Sequence, residues 1–270
     1  MSRNQSNHAL ANQARLHLEI LEGRETPSGN VTAALSAGSL TVVGDAGNNL
    51  VSVRQYAFGD LLVQGLGGTM VNGQPFLYVR GANLAQATFL MQAGADQVQI
   101  QNLRLPGNLT LDLGDGNDTA WLTNISAGGN FTVLGGAGDD SVFANYLTAG
   151  NLFVDGGVGA NSLSLGQVTV AGNLSAISGT GTDRVWISGA TAVNLNVSTG
   201  DGADLVTLYG VRVNHNLSVD AGAGNDSVAV TTVNVAGTAT LFGGLGTDTL
   251  TNGGISAGLT RNVQGFERSA

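Results

Sequence analysis

The chain has 270 residues, of which 42 are glycine and only 3 proline, with no cysteine, no lysine and a net charge of −9. A hydrophobic share of 42% suffices for a packed core, the lack of a Gly-X-Y period excludes collagen, and Val, Leu and Ile alternating along the chain argue against disorder. No disulfide framework is possible, no stretch has the length of a membrane helix, and an acidic surface disfavours nucleic acid and anionic membranes while favouring cations.

In chain order, the first feature is Arg15–Ser28, RLHLEILEGRETPS. It lacks the long apolar run of an ordinary secretory signal. Leu18, Glu19, Leu21, Glu22, Arg24, Pro27 and Ser28 stand in the order of the RLxLExLExRxxPS segment that the stretch resembles, found at the start of many predicted surface proteins of planctomycete bacteria. That resemblance implies an exported, extracellular or cell-surface bacterial protein. Residues 1–28 are thus expected to be an export-type or capping segment, with Leu16, Leu18 and Ile20 available to close one end of the fold, and 29–38 a linker.

From residue 39 to 258 one unit of 21 to 22 residues recurs about ten times. Its clearest copies begin at Asn108, Asn130, Asn151, Asn173, Asn194, Asn216 and Thr238. Each copy holds three short alternating stretches, and alternation means a strand with one buried face. In the copy from Asn108 the buried pairs are Leu109 and Leu111, Ala120 and Leu122, then Ile125 and Ala127. Three strands per coil make an all-β, single-stranded parallel β-helix, with right-handed crossovers as the default. Ten residues always separate the leading Asn or Thr from the Asp or Asn that closes the glycine loop. All length variation therefore falls between strand three and the next strand one, where no register must be kept. Upstream, Asp96, Thr69 and Asn49 mark weaker copies, and extra residues between Asn72 and Gly81 make a bulged corner. Residues 259–270 form a terminal half-coil and tail, with Phe266 placed to plug the core.

The loop between strands one and two carries the only repeated chemistry. It reads GDGND at Gly114–Asp118, GGAGDD at Gly135–Asp140, GDGAD at Gly200–Asp204, GAGND at Gly222–Asp226 and GGLGTD at Gly243–Asp248. These loops resemble the RTX, or haemolysin-type, calcium-binding nonapeptide GGxGxDxUx, which Gly135–Phe143 and Gly243–Thr251 match in full. The resemblance implies Ca2+ held by the carboxylates of Asp96, Asp118, Asp140, Asp183, Asp204, Asp226 and Asp248. It also implies backbone turns at Gly114, Gly116, Gly136, Gly138, Gly222, Gly224, Gly244 and Gly246. In that family two loops flank each short coil, whereas here one loop occurs per coil, so a single row of ions is implied. Aspartates stacked about 5 Å apart repel by about 0.8 kcal/mol per pair even in water, which bound cations would relieve. Asp and Asn also close turns by accepting backbone N–H bonds, and Thr69 and Asn161 share the column, as turn closure allows.

Strand two places Trp121, Phe143 and Trp186 outward in one column interrupted by Ser164, a possible ligand or partner surface unless a neighbouring segment covers it. Some β-helices are polysaccharide lyases or hydrolases, but Arg54, Arg80, Arg104, Arg184, Arg212, Arg261 and His215 are scattered and form no acid–base pair outside the loops. The expected function is a non-enzymatic extracellular or cell-surface scaffold, structural or adhesive, with calcium along its loops. A carbohydrate-binding module using the aromatic column is the alternative, and a polysaccharide enzyme comes third.

Overall fold

The computed structural model describes residues 29–269; the segment 1–28, with its capping leucines, lies outside the described residues. The chain winds into a parallel β-solenoid of about eight turns, and coil stacks on coil in the register that alternation demands. Leu109 aligns with Phe131, Leu152, Leu174, Leu195, Leu217 and Ala239 in strand one. Val98, Ala120, Val142, Leu163, Val185, Val206, Val228 and Leu250 align in strand two. In strand three Leu105 aligns with Ala127, Ala149 and Val170, and Ala192 with Val213 and Val235. All of these are buried in one continuous core. Each coil is held by its two neighbours, through ladder hydrogen bonds and apolar contact.

Two corners behave as the spacing requires. The register slips between Ala127 and Asn130, at the junction of strand three with the next strand one. There the leading asparagines form a ladder of their own. Asn108 Oδ1 accepts from Asn130 N–H at 2.9 Å, Asn130 Oδ1 from Asn151 Nδ2 at 3.0 Å and Asn151 Oδ1 from Asn173 N–H at 2.9 Å. The corner between strands two and three is less legible. It puts Asn102, Asn124, Tyr146, Gln167 and Thr232 in the left-handed region, where only the asparagines are at ease.

The N-terminal end departs from the expected repeat. Strand β1 (Asn30–Ser36) occupies the expected linker and runs antiparallel to β2 (Ser39–Val43). After β3 (Leu50–Gln55) the chain turns back through a tight turn at Ala57–Gly59 into β4 (Leu61–Gly65), antiparallel to β3. It continues through β5 (Met70–Val71), which pairs with β1, into β6 (Phe76–Val79), antiparallel to β4. Strand β7 (Gln86–Leu90) then stacks on β2, and β8 (Gln97–Gln101) on β3. Thr69 therefore heads no coil, the turns number about eight instead of ten, and the bulged corner at 72–81 is a folded-back hairpin. The physical reason is that a period of two says which face is buried but not which way the strand runs. Leu61 and Val63 are as buried as any coil residue. The reversed strands β1 and β4, with β6 laid against β4, end the first two sheets and so shield the row of backbone groups that an open stack would expose. At the other end Thr260–Gln264 pairs with Thr238–Phe242, and Phe266 packs against the core as expected. No helix among the described residues is long and apolar enough to cross a membrane.

Close stacking is strictest at the glycine loop. Gly138 has φ +131°, and a Cβ there would stand 2.0 Å from the carbonyl oxygen of Gly116 in the preceding coil. Gly138→Ala is expected to lower unfolding free energy by about 3 kcal/mol, since strained backbone and a clash with fixed backbone add. The exposed neighbour change Ala137→Ser should stay within about 0.5 kcal/mol of the parent. Urea unfolding of both variants checks this.

Candidate functional site

Each glycine loop leaves strand one, makes left-handed steps at its glycines, and returns through the aspartate into strand two. Gly114, Gly116, Gly136, Gly138, Gly222, Gly224, Gly244 and Gly246 all have positive φ, as the loop pattern requires. The loops do not splay open. They stack through hydrogen bonds of their own: Gly116 N–H donates to Ala137 O at 2.7 Å, Gly138 N–H to Val158 O at 2.8 Å and Gly202 N–H to Ala223 O at 2.7 Å.

The aspartate that follows turns inward, because it occupies a core-facing position of the alternation. Asp96, Asp118, Asp140, Asp183, Asp204, Asp226 and Asp248 are at most 3% exposed, as are Asn49 and Asn161 in the same row. Apart from Asn49, which begins the row and gives its own N–H to Asp96 Oδ1 at 2.6 Å, each accepts, on one side-chain oxygen, the backbone N–H of the row residue one coil earlier. Asp118 Oδ1 takes Asp96 N–H at 2.6 Å, Asp140 Oδ1 takes Asp118 N–H at 2.8 Å, and Asn161 Oδ1 takes Asp140 N–H at 2.9 Å. The row continues through Asp183, Asp204, Asp226 and Asp248, and Glu267 accepts the last N–H, from Asp248. Those amides point along the stack at a corner where no strand partner is available. The side chains therefore complete the backbone hydrogen bonding of the core.

The second oxygen has no such employment. Oδ2 of all seven aspartates is sealed from solvent and meets no hydrogen-bond partner among the described residues. An ionised carboxylate left in that state is costly, and burial accordingly drives the pKa up. Asp118 rises to about 7, with the facing Asp140 and Asp96 adding to the effect against the N–H bond it accepts. Asp96, Asp140 and Asp226 rise to about 6, also through burial. Asp183 and Asp204 are raised for the same reason, although the hydroxyls of Ser178 and Thr199 beside them work the other way. The two asparagines show what a proton would find on that side. Asn161 Nδ2 donates to Gly159 O at 3.1 Å, and Asn49 Nδ2 donates to Gly47 O. A carboxyl proton on Oδ2 would stand where those amide protons stand.

Calcium needs six to eight oxygens around one point. Here one carboxylate oxygen of each aspartate is taken by an N–H and the other faces the closed interior. Among the described residues no three acidic or imidazole groups converge as a metal cage. The donor set of the row, as arranged, does not fit the ion that the loop resemblance implies.

A second, exposed row lies one position earlier and was not foreseen from the motif. Asn117 Oδ1 accepts Asp139 N–H at 2.9 Å, Asp139 Oδ1 accepts Ala160 N–H at 2.8 Å, and Asn225 Oδ1 accepts Thr247 N–H at 2.9 Å. Asn-Asp and Asp-Asp pairs in the loops are its signature. The aromatic column stands where the alternation puts it, with Trp121 36%, Phe143 42% and Trp186 55% exposed. Trp121 and Phe143 stack at 6.4 Å between ring centroids, and no described segment covers them.

No family model, curated protein or solved structure matches this chain.

The raised pKa values carry a sign. The folded state keeps protons that an unfolded aspartate releases near pH 4, so this contribution to stability is fully present below about pH 4 and is lost as pH rises through 6 to 7. Thermal unfolding is expected to show a higher midpoint near pH 5 than near pH 8. A side-chain series separates the two oxygens. Asp118→Asn keeps the acceptor for Asp96 N–H, so it should match or exceed the parent's stability near pH 8 and flatten the pH dependence. Asp118→Ala strands that N–H and should lose about 1–3 kcal/mol in urea unfolding.

Proposed function

We propose that this chain is a non-enzymatic repeat scaffold, a stiff rod that works outside the cell or on its surface. What carries the reading is the use to which its titratable groups are put. The aspartates that burial perturbs are closed within the core and hold backbone N–H groups. Perturbed acids of this kind would mark a catalytic site if they opened into a cleft, but these serve the stack. Eight or so coils at a strand spacing of about 4.8 Å give a core about 40 Å long, built so that any coil leans on its neighbours and no hinge interrupts the sheets. The segment Arg15–Ser28, outside the described residues, supports export through its resemblance to surface-protein leaders. An adhesive or spacing role suits a rod of this kind.

We further propose that the rod stands without calcium, since the row that would ligate it is spent on the backbone. An ion at a hundred times its Kd adds about 2.7 kcal/mol, which is several degrees in midpoint for a chain of this size. Thermal unfolding of the full chain near pH 8 is expected to give the same midpoint with millimolar calcium as with a chelator. A rise of several degrees with calcium would restore the RTX-like reading. For the scaffold itself, incubation with neutral and acidic polysaccharides should release no new reducing ends and no unsaturated products, and steady release of either would overturn it.

A further inference from the structure

The stacking register sorts the charged residues onto different faces. Every aspartate between residues 97 and 257 lies in a first strand or a glycine loop: Asp112, Asp155 and Asp220 in first strands, the rest in loops. Every arginine in that span, Arg104, Arg184 and Arg212, lies in a second or third strand. The exposed rings of Trp121, Phe143, Tyr146, Trp186 and Tyr209 stand on that same acid-free side. A protein of net charge −9 thus carries one long face with cations, rings and neutral polar groups, and no carboxylate.

Two open cavities lie on this face, of about 440 and 410 Å³, and share Phe143, Ser164 and Trp186. They are the two mouths of one slot. Phe143, Ser164 and Trp186 are cross-strand neighbours, so the two rings stand two strand spacings apart, about 9.5 Å, with only a serine between them. A ring stacking on an aromatic face sits at least about 4.5 Å from it, so the slot has room for one non-aromatic ring held on both faces. Asn145 and Gln167 border one mouth, and Arg184 and Thr207 the other. Amides and hydroxyls both donate and accept, as a polyhydroxylated ligand requires. Arg184 makes no ion pair among the described residues.

The face continues toward the N-terminal cap. Arg54, Gln101, Thr123, Asn145, Gly166 and Ser188 follow one another across five ladder steps, about 24 Å. At the far end a cavity of about 610 Å³ is lined by Arg54, Arg104, Tyr56 and Phe58. Phe58 is 99% exposed and sits at φ +65°, a strained placement for a bulky residue and one that tends to mark binding sites. Arg54 lies over the Tyr56 ring at 6.0 Å and bonds Gln101. Asp60, which follows the turn at Ala57–Gly59, is engaged by the Tyr78 hydroxyl at 2.5 Å and by Gly81 N–H at 2.8 Å.

We propose that this face is a binding track for an acidic, chain-like polysaccharide of the polyuronate class, with one sugar ring held between Phe143 and Trp186 over Ser164. Arg184 at the slot and the Arg54–Arg104 pair at the cap meet its carboxylates. A slot open at both mouths lets a chain pass through it. Sparse arginines among amides and hydroxyls suit a polymer rich in hydroxyls. They match poorly a nucleic acid strand, with a charge about every 3.4 Å, on a protein that is acidic overall. The track adds a ligand to the scaffold reading and does not depend on it, since binding without turnover and turnover itself are read separately.

Isothermal titration or affinity electrophoresis of the full chain with polygalacturonate, dextran and oligo(dT) tests the proposal. Polygalacturonate is expected to bind, less tightly as salt is raised, and more tightly than dextran or oligo(dT). Trp186→Ala should weaken it about tenfold, the upper range for one ring contact. Arg184→Gln should weaken it and reduce the salt dependence, while Asp155→Asn, in a first strand away from the slot, should not weaken it. Absence of polygalacturonate binding, equal binding by Trp186→Ala and Arg184→Gln, equal affinity for dextran, or tighter binding of oligo(dT) would each overturn it.

Discussion

The structure depends on one constraint, the need to satisfy a backbone N–H that points along the stack at the corner before strand two. A solenoid buries its backbone from coil to coil, and the strand ladders satisfy most of it. At this corner the chain is turning and the ladder is interrupted, so an acceptor must come from a side chain, and it must reach exactly one coil spacing. Asp and Asn have that reach. From Asn49 to Asp248 the row forms an unbroken relay in which each residue gives its N–H to the side-chain oxygen of the next, and Asn49 begins it as a donor alone.

The rest of the architecture follows from keeping that relay in step. The ten-residue distance from the leading Asn to the row residue cannot vary, which leaves the third corner to absorb every length change. The loop glycines of one coil leave no space for a Cβ against the glycine carbonyls of the coil before, since the loops stack in the same step as the row. The relay also has a cost, since each aspartate brings a second oxygen that nothing in the core receives. Where asparagine replaces aspartate, that side becomes a donor to a loop carbonyl. Protonation would make aspartate equivalent, which is why burial and titration are linked so tightly here.

Much of this was legible in the sequence. The three alternating stretches gave the strands, their buried residues and the stack, because period two is enforced residue by residue where one face is closed. The loop aspartates and the aromatic column were placed correctly on their coils. The direction of a strand was not legible, so β4 passed for part of a coil, β6 for a bulged corner and β1 for a linker. The job of the aspartates was not legible either. A carboxylate following glycines has the same letters whether it faces an ion or an N–H, and the difference is set by which side of the alternation it occupies. Tyr146, Gln167 and Thr232 carry no mark of the left-handed corner they occupy, since their conformation is imposed by the coils on either side.

Acids and arginines separate for the same reason that the coils stay in register. A residue type favoured at one position of the unit is repeated along one face, and the outward positions of strand two carry rings, arginine and neutral polar residues. The most direct measurement of the central claim is hydrogen exchange of the row amides near pH 7. If the side-chain relay holds them, Asp96, Asp118, Asp140, Asp204 and Asp226 N–H should exchange as slowly as the strand amides of the same coils. Exchange at the rate of the exposed loop amides would contradict it.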